Sequence, residues 1–255
     1  MNKDSVNKAW KSTCRILLGD EIGDIEEYQD YLLKYIKKRK KVKSNLSGKE
    51  VVIPTNVDYG NAKFISNDEC EVYNNNIDQL KLNITQVKDI DSIVEALDER
   101  IYYAGNVILG NSKEVYSSNR ISNSSFVYES EDIHDSKYVG YSCMLRFGNH
   151  LFGCHSGGNG SFGIKILEMY QNTRCMETVR TYTSSDCYYT ANLDGCSDCI
   201  FSFNLRNKRN MIGNLQFSPE KYAVLKSKLI NEIRDTLATK KTIPSLVEIM
   251  GGADE

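Results

Sequence analysis

The sequence is poor in proline, histidine and tryptophan, with three prolines, three histidines and one tryptophan in 255 residues. Scarce proline favours long hydrogen-bonded ladders, because proline has no amide N–H to donate within a central strand. No apolar run reaches the roughly 18–20 residues that a membrane helix needs, so we expect no membrane span. Residues 1–5 lack the apolar segment of a secretory signal, so we expect a cytoplasmic protein.

The charge of the chain is nearly balanced. Its net charge is −2, which excludes a global electrostatic attraction to nucleic acid or to an anionic membrane. Hydrophobic residues make up 40% and charged residues 26% of the chain, as in ordinary globular proteins. Eight cysteines without a secretory signal favour reduced thiols over disulfides.

Residues 103–211 contain a six-residue repeat. Of the nineteen positions taken at this interval, sixteen are apolar when cysteine and tyrosine are counted, and the exceptions are Gly157, Gly163 and Thr181. The third residue after each of these positions is usually small. Examples of the small series are Ser112, Ser118, Ser124, Ser130, Ser136, Ser142, Gly148, Cys154 and Gly160.

A period of six fits neither an α-helix nor a simple antiparallel meander, but it fits a β-solenoid whose short strands coil around one narrow core. The apolar residue of each hexad is expected to point inwards, and the small residue to lie where the backbone bends or where side chains must pack tightly. Handedness and the number of residues per coil stay open. Left-handed hexapeptide helices have the small residue at the fifth position of the hexad, whereas here it is at the fourth.

Helical patterns flank the repeat on both sides. Residues 6–18 have apolar residues at helical spacing, and Asp24 with Glu27 predicts a capping box that begins a second helix. Residues 51–53 predict a short strand, and Ser218 before Pro219 predicts the start of a long helix.

These patterns predict an α+β protein that contains a single-stranded β-solenoid, or β-helix. We expect a helix-rich region over residues 1–100, acting as a cap or an oligomerisation module. The solenoid is expected over residues 101–215 and capping helices over residues 216–255, because a solenoid must protect its two open ladder edges.

The C-terminal hundred residues resemble an uncharacterised prokaryotic family of hexad-repeat, solenoid-like proteins. The resemblance lies in residues 197–208, in residues 212–214 and in the helix start at residues 219–222. It implies no activity, since none is known for that family, but it supports treating the repeat and the C-terminal helix as one unit.

A basic run follows the second predicted helix. It could bind nucleic acid, or it could be a solvated helix end that complements the helix dipole, and we favour the second interpretation because no basic domain surrounds it. The run consists of Lys37, Lys38, Arg39, Lys40 and Lys41.

The remaining motifs give weak chemical signals. Residues 158–163 match G-x-G-x-x-G, but no strand–helix unit surrounds them, so we interpret them as a bend of the solenoid. His134, His150 and His155 are candidate zinc ligands, as in trimeric β-helical carbonic anhydrases. Their hexad positions differ, so they need not share a face. The cysteines are interpreted as small buried hydrophobes, and the tyrosines as ladders along the coil rather than binding platforms.

We therefore expect a non-enzymatic structural or scaffolding protein that forms a homo-oligomer or binds a protein partner. We assign it no catalytic residue and no cofactor. The alternative is a trimeric β-helical enzyme, either a zinc hydratase resembling the γ-carbonic anhydrases or a hexapeptide-type acyltransferase.

Overall fold

The computed structural model of the protein describes residues 4–55, 58–59, 61–75, 81–98 and 100–251. The described α-helices are α1 (Asp4–Leu18), α2 (Gln29–Leu33), α3 (Cys70–Asn75), α4 (Ile90–Asp98), α5 (Pro219–Lys240) and α6 (Leu246–Gly251). The first strands are β1 (Lys40–Lys43), β2 (Glu50–Ile53), β3 (Phe64–Ser66) and β4 (Tyr103–Gly105).

The solenoid has about nine turns and contains the remaining strands. They are β5 (Ile108–Leu109), β6 (Lys113–Tyr116), β7 (Asn119–Ser122), β8 (Ser125–Tyr128), β9 (Glu131–His134), β10 (Lys137–Gly140), β11 (Cys143–Arg146), β12 (Asn149–Phe152), β13 (His155–Gly158), β14 (Ser161–Tyr170), β15 (Thr173–Tyr182), β16 (Ser185–Asp194), β17 (Ser197–Ile200), β18 (Arg209–Ile212) and β19 (Leu215–Gln216).

Each coil of the solenoid contains twelve residues, or two hexads. The parallel strands pair residues twelve apart, so Lys137 lies between Ser125 and Asn149 in one sheet. A three-sided coil of hexads would instead pair residues eighteen apart. The strands of successive hexads therefore form two stacks, and the ten-residue strands β14, β15 and β16 pass from one stack into the other.

The backbone bends at every third residue along the solenoid. From Glu114 to Asn210, each third residue has a φ between +46° and +66°, and only Gly153 and Gly195 among them are glycines. The left-handed region disfavours β-branched side chains most strongly. Accordingly, Thr183 is the one β-branched residue in this series. The residue after each bend points inwards, with the exception of the exposed Lys208.

The apolar hexad residues form one interior column, as the sequence predicts. Its members alternate between the two stacks, and those of the middle coils are fully buried: Ile121, Val127, Ile133, Val139, Leu145 and Leu151. This buried column confirms the β-solenoid that the six-residue repeat predicts.

The small hexad residues form hydrogen-bonded ladders beside the apolar column. The Ser130 hydroxyl donates to the carbonyl of Tyr128 at 2.8 Å and accepts the N–H of Ser142 at 3.1 Å. Ser142 repeats this with the carbonyl of Gly140 and the N–H of Cys154. Each serine thus satisfies one backbone group of its own coil and one of the next.

Helices cover one side of the solenoid. α1 packs on β8, β10, β12, β14 and β15, and the ring of its Trp10 lies 5.5 Å from that of Phe152. Three α5 residues join the same cluster, namely Tyr222, Ile230 and Leu237. The surface beneath this helical layer is an outward column with a twelve-residue spacing: Phe152, Ile164, Met176, Tyr188 and Ile200.

The ends of the solenoid are covered by other elements. At the last coil, β19 folds back antiparallel onto β18 and closes its edge. At the first coil, β4 pairs with β3, and the N–H of Asn106 donates to the carbonyl of Val52. α1 and α5 lie along the side of the solenoid, where they bury the outward apolar column.

The flanking predictions are largely confirmed. α1, the capping box of Asp24 and Glu27, β2 and the Ser218 cap of α5 all form. The basic run is not a helix end, because α2 ends at Leu33 and Lys40 begins β1. In the N-terminal region, α4 begins at Ile90, and the N–H of Ser92 donates to the Asp89 carboxylate.

A buried ion pair fastens the helical layer to the solenoid. The Lys165 Nζ lies 3.7 Å from a Glu177 carboxylate oxygen and 4.5 Å from the centre of the Tyr31 ring. Glu177 also accepts the Tyr31 hydroxyl at 2.7 Å and the N–H of Leu246 at 3.0 Å. Burial lowers the pKa of Lys165 and raises that of Glu177. The pair therefore links α2, α6, β14 and β15.

Removing one hydroxyl from the serine ladder tests its importance. We expect Ser130→Ala to lower the free energy of unfolding by about 1–3 kcal/mol, because the buried N–H of Ser142 loses its acceptor. Urea unfolding measures the change. Ser125→Ala, at a half-buried serine of β8, is the matched control and should change stability by less than about 0.5 kcal/mol. Equal effects of the two substitutions would contradict the ladder.

Candidate functional site

The side of the solenoid opposite the helical layer forms an open face. The residues of its central outward column lie six residues along the chain, or half a coil, from those of the column that the helices cover. The column consists of Ser122, His134, Arg146, Gly158, Tyr170 and Tyr182, and it continues through Asp194 and Arg206. Met144, Phe147 and Tyr170 are exposed large apolar side chains on or beside it.

One glycine interrupts the side chains of this face. Gly158 lies in register between Arg146 and Tyr170. Its neighbour Gly157 belongs to the interior column, where a Cβ would lie 2.2 Å from the Met169 carbonyl oxygen. The missing side chain of Gly158 leaves a notch between the Arg146 cation and the Tyr170 ring.

The G-x-G-x-x-G segment is part of this notch. It spans the bend between β13 and β14, where one stack passes into the other. The N–H groups of Asn159 and Ser161 donate to the carbonyls of Arg146 and Asn172. Because these amides serve the ladder, they do not form the phosphate cradle of a nucleotide-binding loop.

A hydrogen-bonded chain of three side chains lies on the first coils of the open face. The Ser122 Oγ is 2.5 Å from Nδ1 of His134, and His134 Nε2 is 2.9 Å from Oδ1 of Asp132. A guanidinium nitrogen of Arg120 lies 3.4 Å from the same carboxylate oxygen. Sequence analysis considered His134 only as a metal ligand. The sequence feature that indicates this hydrogen-bonded group is the twelve-residue spacing of Ser122 and His134. It places the two residues side by side only if the coil is known to contain twelve residues.

The three candidate zinc ligands lie in three different outward columns. His134 is on the open face, and His155 lies beside Cys143 in register. His150 is stacked between Tyr138 and Phe162, with ring centres 4.6 Å and 4.7 Å away. Within the described ranges, no three or more histidine, cysteine, aspartate or glutamate side chains are grouped to hold a metal ion.

The stack around His150 is an aromatic ladder that runs along the coil axis. It consists of Phe126, Tyr138, His150 and Phe162. Because each ring packs against the next, the ring faces are not available as platforms for a ligand. The ladder therefore stabilises adjacent coils.

The basic run is divided between the interior and the surface. Arg39 is buried and pairs with Glu131 of the solenoid, and Thr55 donates to the same carboxylate. Lys41 pairs with Glu50 on the neighbouring strand. The contacts of Arg39 and Thr55 dock the β1–β2 hairpin on the solenoid. The ion pairs of Arg39 and Lys41 occupy two of the five cations of the run.

The cysteines of the repeat are packing groups. Cys175, Cys187 and Cys199 lie fully buried in the interior, and all eight cysteines are free thiols. Burial raises the pKa of Cys154 to about 12, which keeps it a thiol at neutral pH. The thiols of Cys196 and Cys199 donate to the backbone carbonyls of Asp194 and Ser197.

A second candidate surface lies outside the solenoid, on and around α4. Ile90 and Val94 are one helical turn apart and are 75% and 59% exposed. Ile84, Val87 and Ile101, which flank the helix in sequence, are exposed as well. Isolated exposed apolar residues are ordinary, but a run of five such residues indicates a contact surface. We call these five residues the α4 surface.

Comparison with known proteins gives no assignment: neither a family model nor a curated protein matches the chain. The resemblance to a hexad-repeat family therefore rests on the sequence pattern, whereas the solenoid itself is shown. None of the helices in the described ranges is both long and apolar enough to cross a membrane.

The pH dependence of stability tests the role of His150. Burial and the nearby Lys137 lower its pKa, so the unfolded chain takes up the proton first and stability falls as the pH drops below about 6.5. We expect His150→Phe, which keeps the ring stack, to reduce the loss of stability between pH about 7.5 and about 5. Urea unfolding at both pH values measures it. The same loss in both proteins would contradict this role.

Proposed function

We propose that the protein is a structural scaffold that self-associates through the α4 surface and presents the open face of its solenoid to a partner. A cytoplasmic location with reduced cysteines is part of this proposal, and the buried free thiols support it. The observation that carries the proposal is the α4 surface, where five apolar side chains are each at least half exposed.

The construction of the solenoid supports a scaffolding role. Its coils repeat the same interior contacts, the helical layer is fastened by the pair of Lys165 and Glu177, and β19 closes the last edge. Such a body holds surface groups at fixed spacings of one coil. Repeat proteins commonly use extended surfaces of this kind to bind partners.

The small net charge and the apolar residues of α4 favour contact between copies of this chain. A net charge of −2 offers little repulsion between copies. Two like helices can bury Ile90 and Val94 against each other in a symmetric contact, which is the commonest arrangement in homodimers.

The enzyme alternative has less support in the geometry. The twelve-residue register differs from that of a three-sided hexad coil, and the three histidines face different directions. A zinc hydratase would have to assemble its ligands between subunits. Stoichiometric zinc that is lost with His150→Ala or His155→Ala would favour it over the scaffold.

Disruption of the α4 surface tests the proposal. We expect the wild type to exceed its monomer mass of 29.0 kDa in light scattering and to dissociate on dilution. Ile90→Glu combined with Val94→Glu should give the monomer at every concentration, because burying two carboxylates in an apolar contact is costly.

Val224→Glu is the matched control for this experiment. Val224 is 71% exposed on α5, outside the α4 surface, so the variant should associate like the wild type. A wild type that is monomeric at all concentrations, or a control that dissociates equally, would overturn the proposal.

A further inference from the structure

Ser122 has the surroundings of a nucleophile rather than of a structural serine. The ladder serines donate to backbone carbonyls, whereas Ser122 lies 2.5 Å from an imidazole nitrogen. The network assigns its tautomer: Asp132 accepts from Nε2 of His134, which leaves Nδ1 as the acceptor for the Ser122 hydroxyl. Thus the imidazole nitrogen beside Ser122 is the basic one.

The fold holds these groups on adjacent strands. Ser122 and His134 are register neighbours on β7 and β9, and Asp132 lies two residues from His134 on β9. Arg120 pairs with Asp132 from the β7 side. The Asp132 carboxylate therefore orients the His134 imidazole, and Arg120 holds the carboxylate in place. A base oriented by a third group is the arrangement that activates serine nucleophiles.

The same column continues with groups suited to a substrate. Arg146 is the register neighbour of His134, and Gly158 follows it. At the spacing of parallel strands, Arg146 lies roughly 10 Å from Ser122, measured between Cα atoms. A small ester with a negative charge can place that charge at Arg146, and the missing side chain at Gly158 leaves room beyond it.

We propose that Ser122 is a nucleophilic serine that takes the acyl group from small anionic esters, with His134 as its base and Asp132 as a positioning residue. The Ser122 oxygen bonds to the acyl carbon while its proton moves to Nδ1 of His134. The bond from the acyl carbon to the leaving oxygen then breaks, and that oxygen takes the proton. Water repeats the sequence on the acyl-serine, releasing the acid and restoring Ser122.

Covalent labelling of the intact protein tests this proposal. We expect a fluorophosphonate probe to form one adduct, which peptide mass spectrometry locates on Ser122. His134→Asn should slow the labelling by about 10²–10⁴-fold, the usual contribution of a general base. No adduct on Ser122, or equal labelling of both proteins, would overturn the proposal.

Ester hydrolysis supplies the second measurement. With p-nitrophenyl succinate, Ser122→Ala should lose activity, whereas Ser125→Ala, whose register neighbours are Lys113 and Lys137, should keep it. Arg146→Met should raise KM for the succinate ester but not for neutral p-nitrophenyl acetate. Retained activity in Ser122→Ala would overturn the proposal. The oligomeric state enters neither experiment, so the scaffold proposal and this one can fail separately.

Discussion

The fold depends on a left-handed backbone bend at every third residue. Such a bend costs roughly 1–2 kcal/mol for a residue other than glycine, and the solenoid repeats it from Glu114 to Asn210. The cost is offset by what the bends make possible: a short coil, a continuous parallel ladder and an inward side chain after nearly every bend. In the first coils the inward positions alternate between apolar residues and serines, and these serines satisfy backbone groups of their own coil and of the next.

The sequence predicted the solenoid because its inward residues repeat strictly. Ile121, Val127 and Ile133 stand six residues apart, and the serines between them are just as regular. The coil length could not be predicted, since a six-residue period fits coils of two or three hexads. The bends were also missed, because residues as different as Tyr138, Met144 and His150 occupy them. The residues at the bends share only one property, which is that β-branched residues are nearly absent. This absence can be recognised only when the three-residue spacing of the bends is already known.

The side of the solenoid on which the helices pack could not be predicted, for a related reason. Phe152, Ile164 and Met176 stand twelve residues apart on the outside of the strands, and only the coil length shows that they form one apolar side that must be covered. The chain of Ser122, His134 and Asp132 was hidden in the same way. By contrast, α1, the capping box at Asp24 and the start of α5 depend on local signals and were predicted correctly. Local capping was thus easier to predict than packing between coils.

Two substitutions at one exposed bend test the left-handed backbone conformation most directly. Met144 has a φ of +57°, a conformation that glycine adopts without strain and valine does not. We predict that Met144→Gly raises the free energy of unfolding by about 1 kcal/mol, while Met144→Val lowers it, as measured by urea unfolding. A valine variant at least as stable as the glycine variant would contradict the bend at the centre of this account.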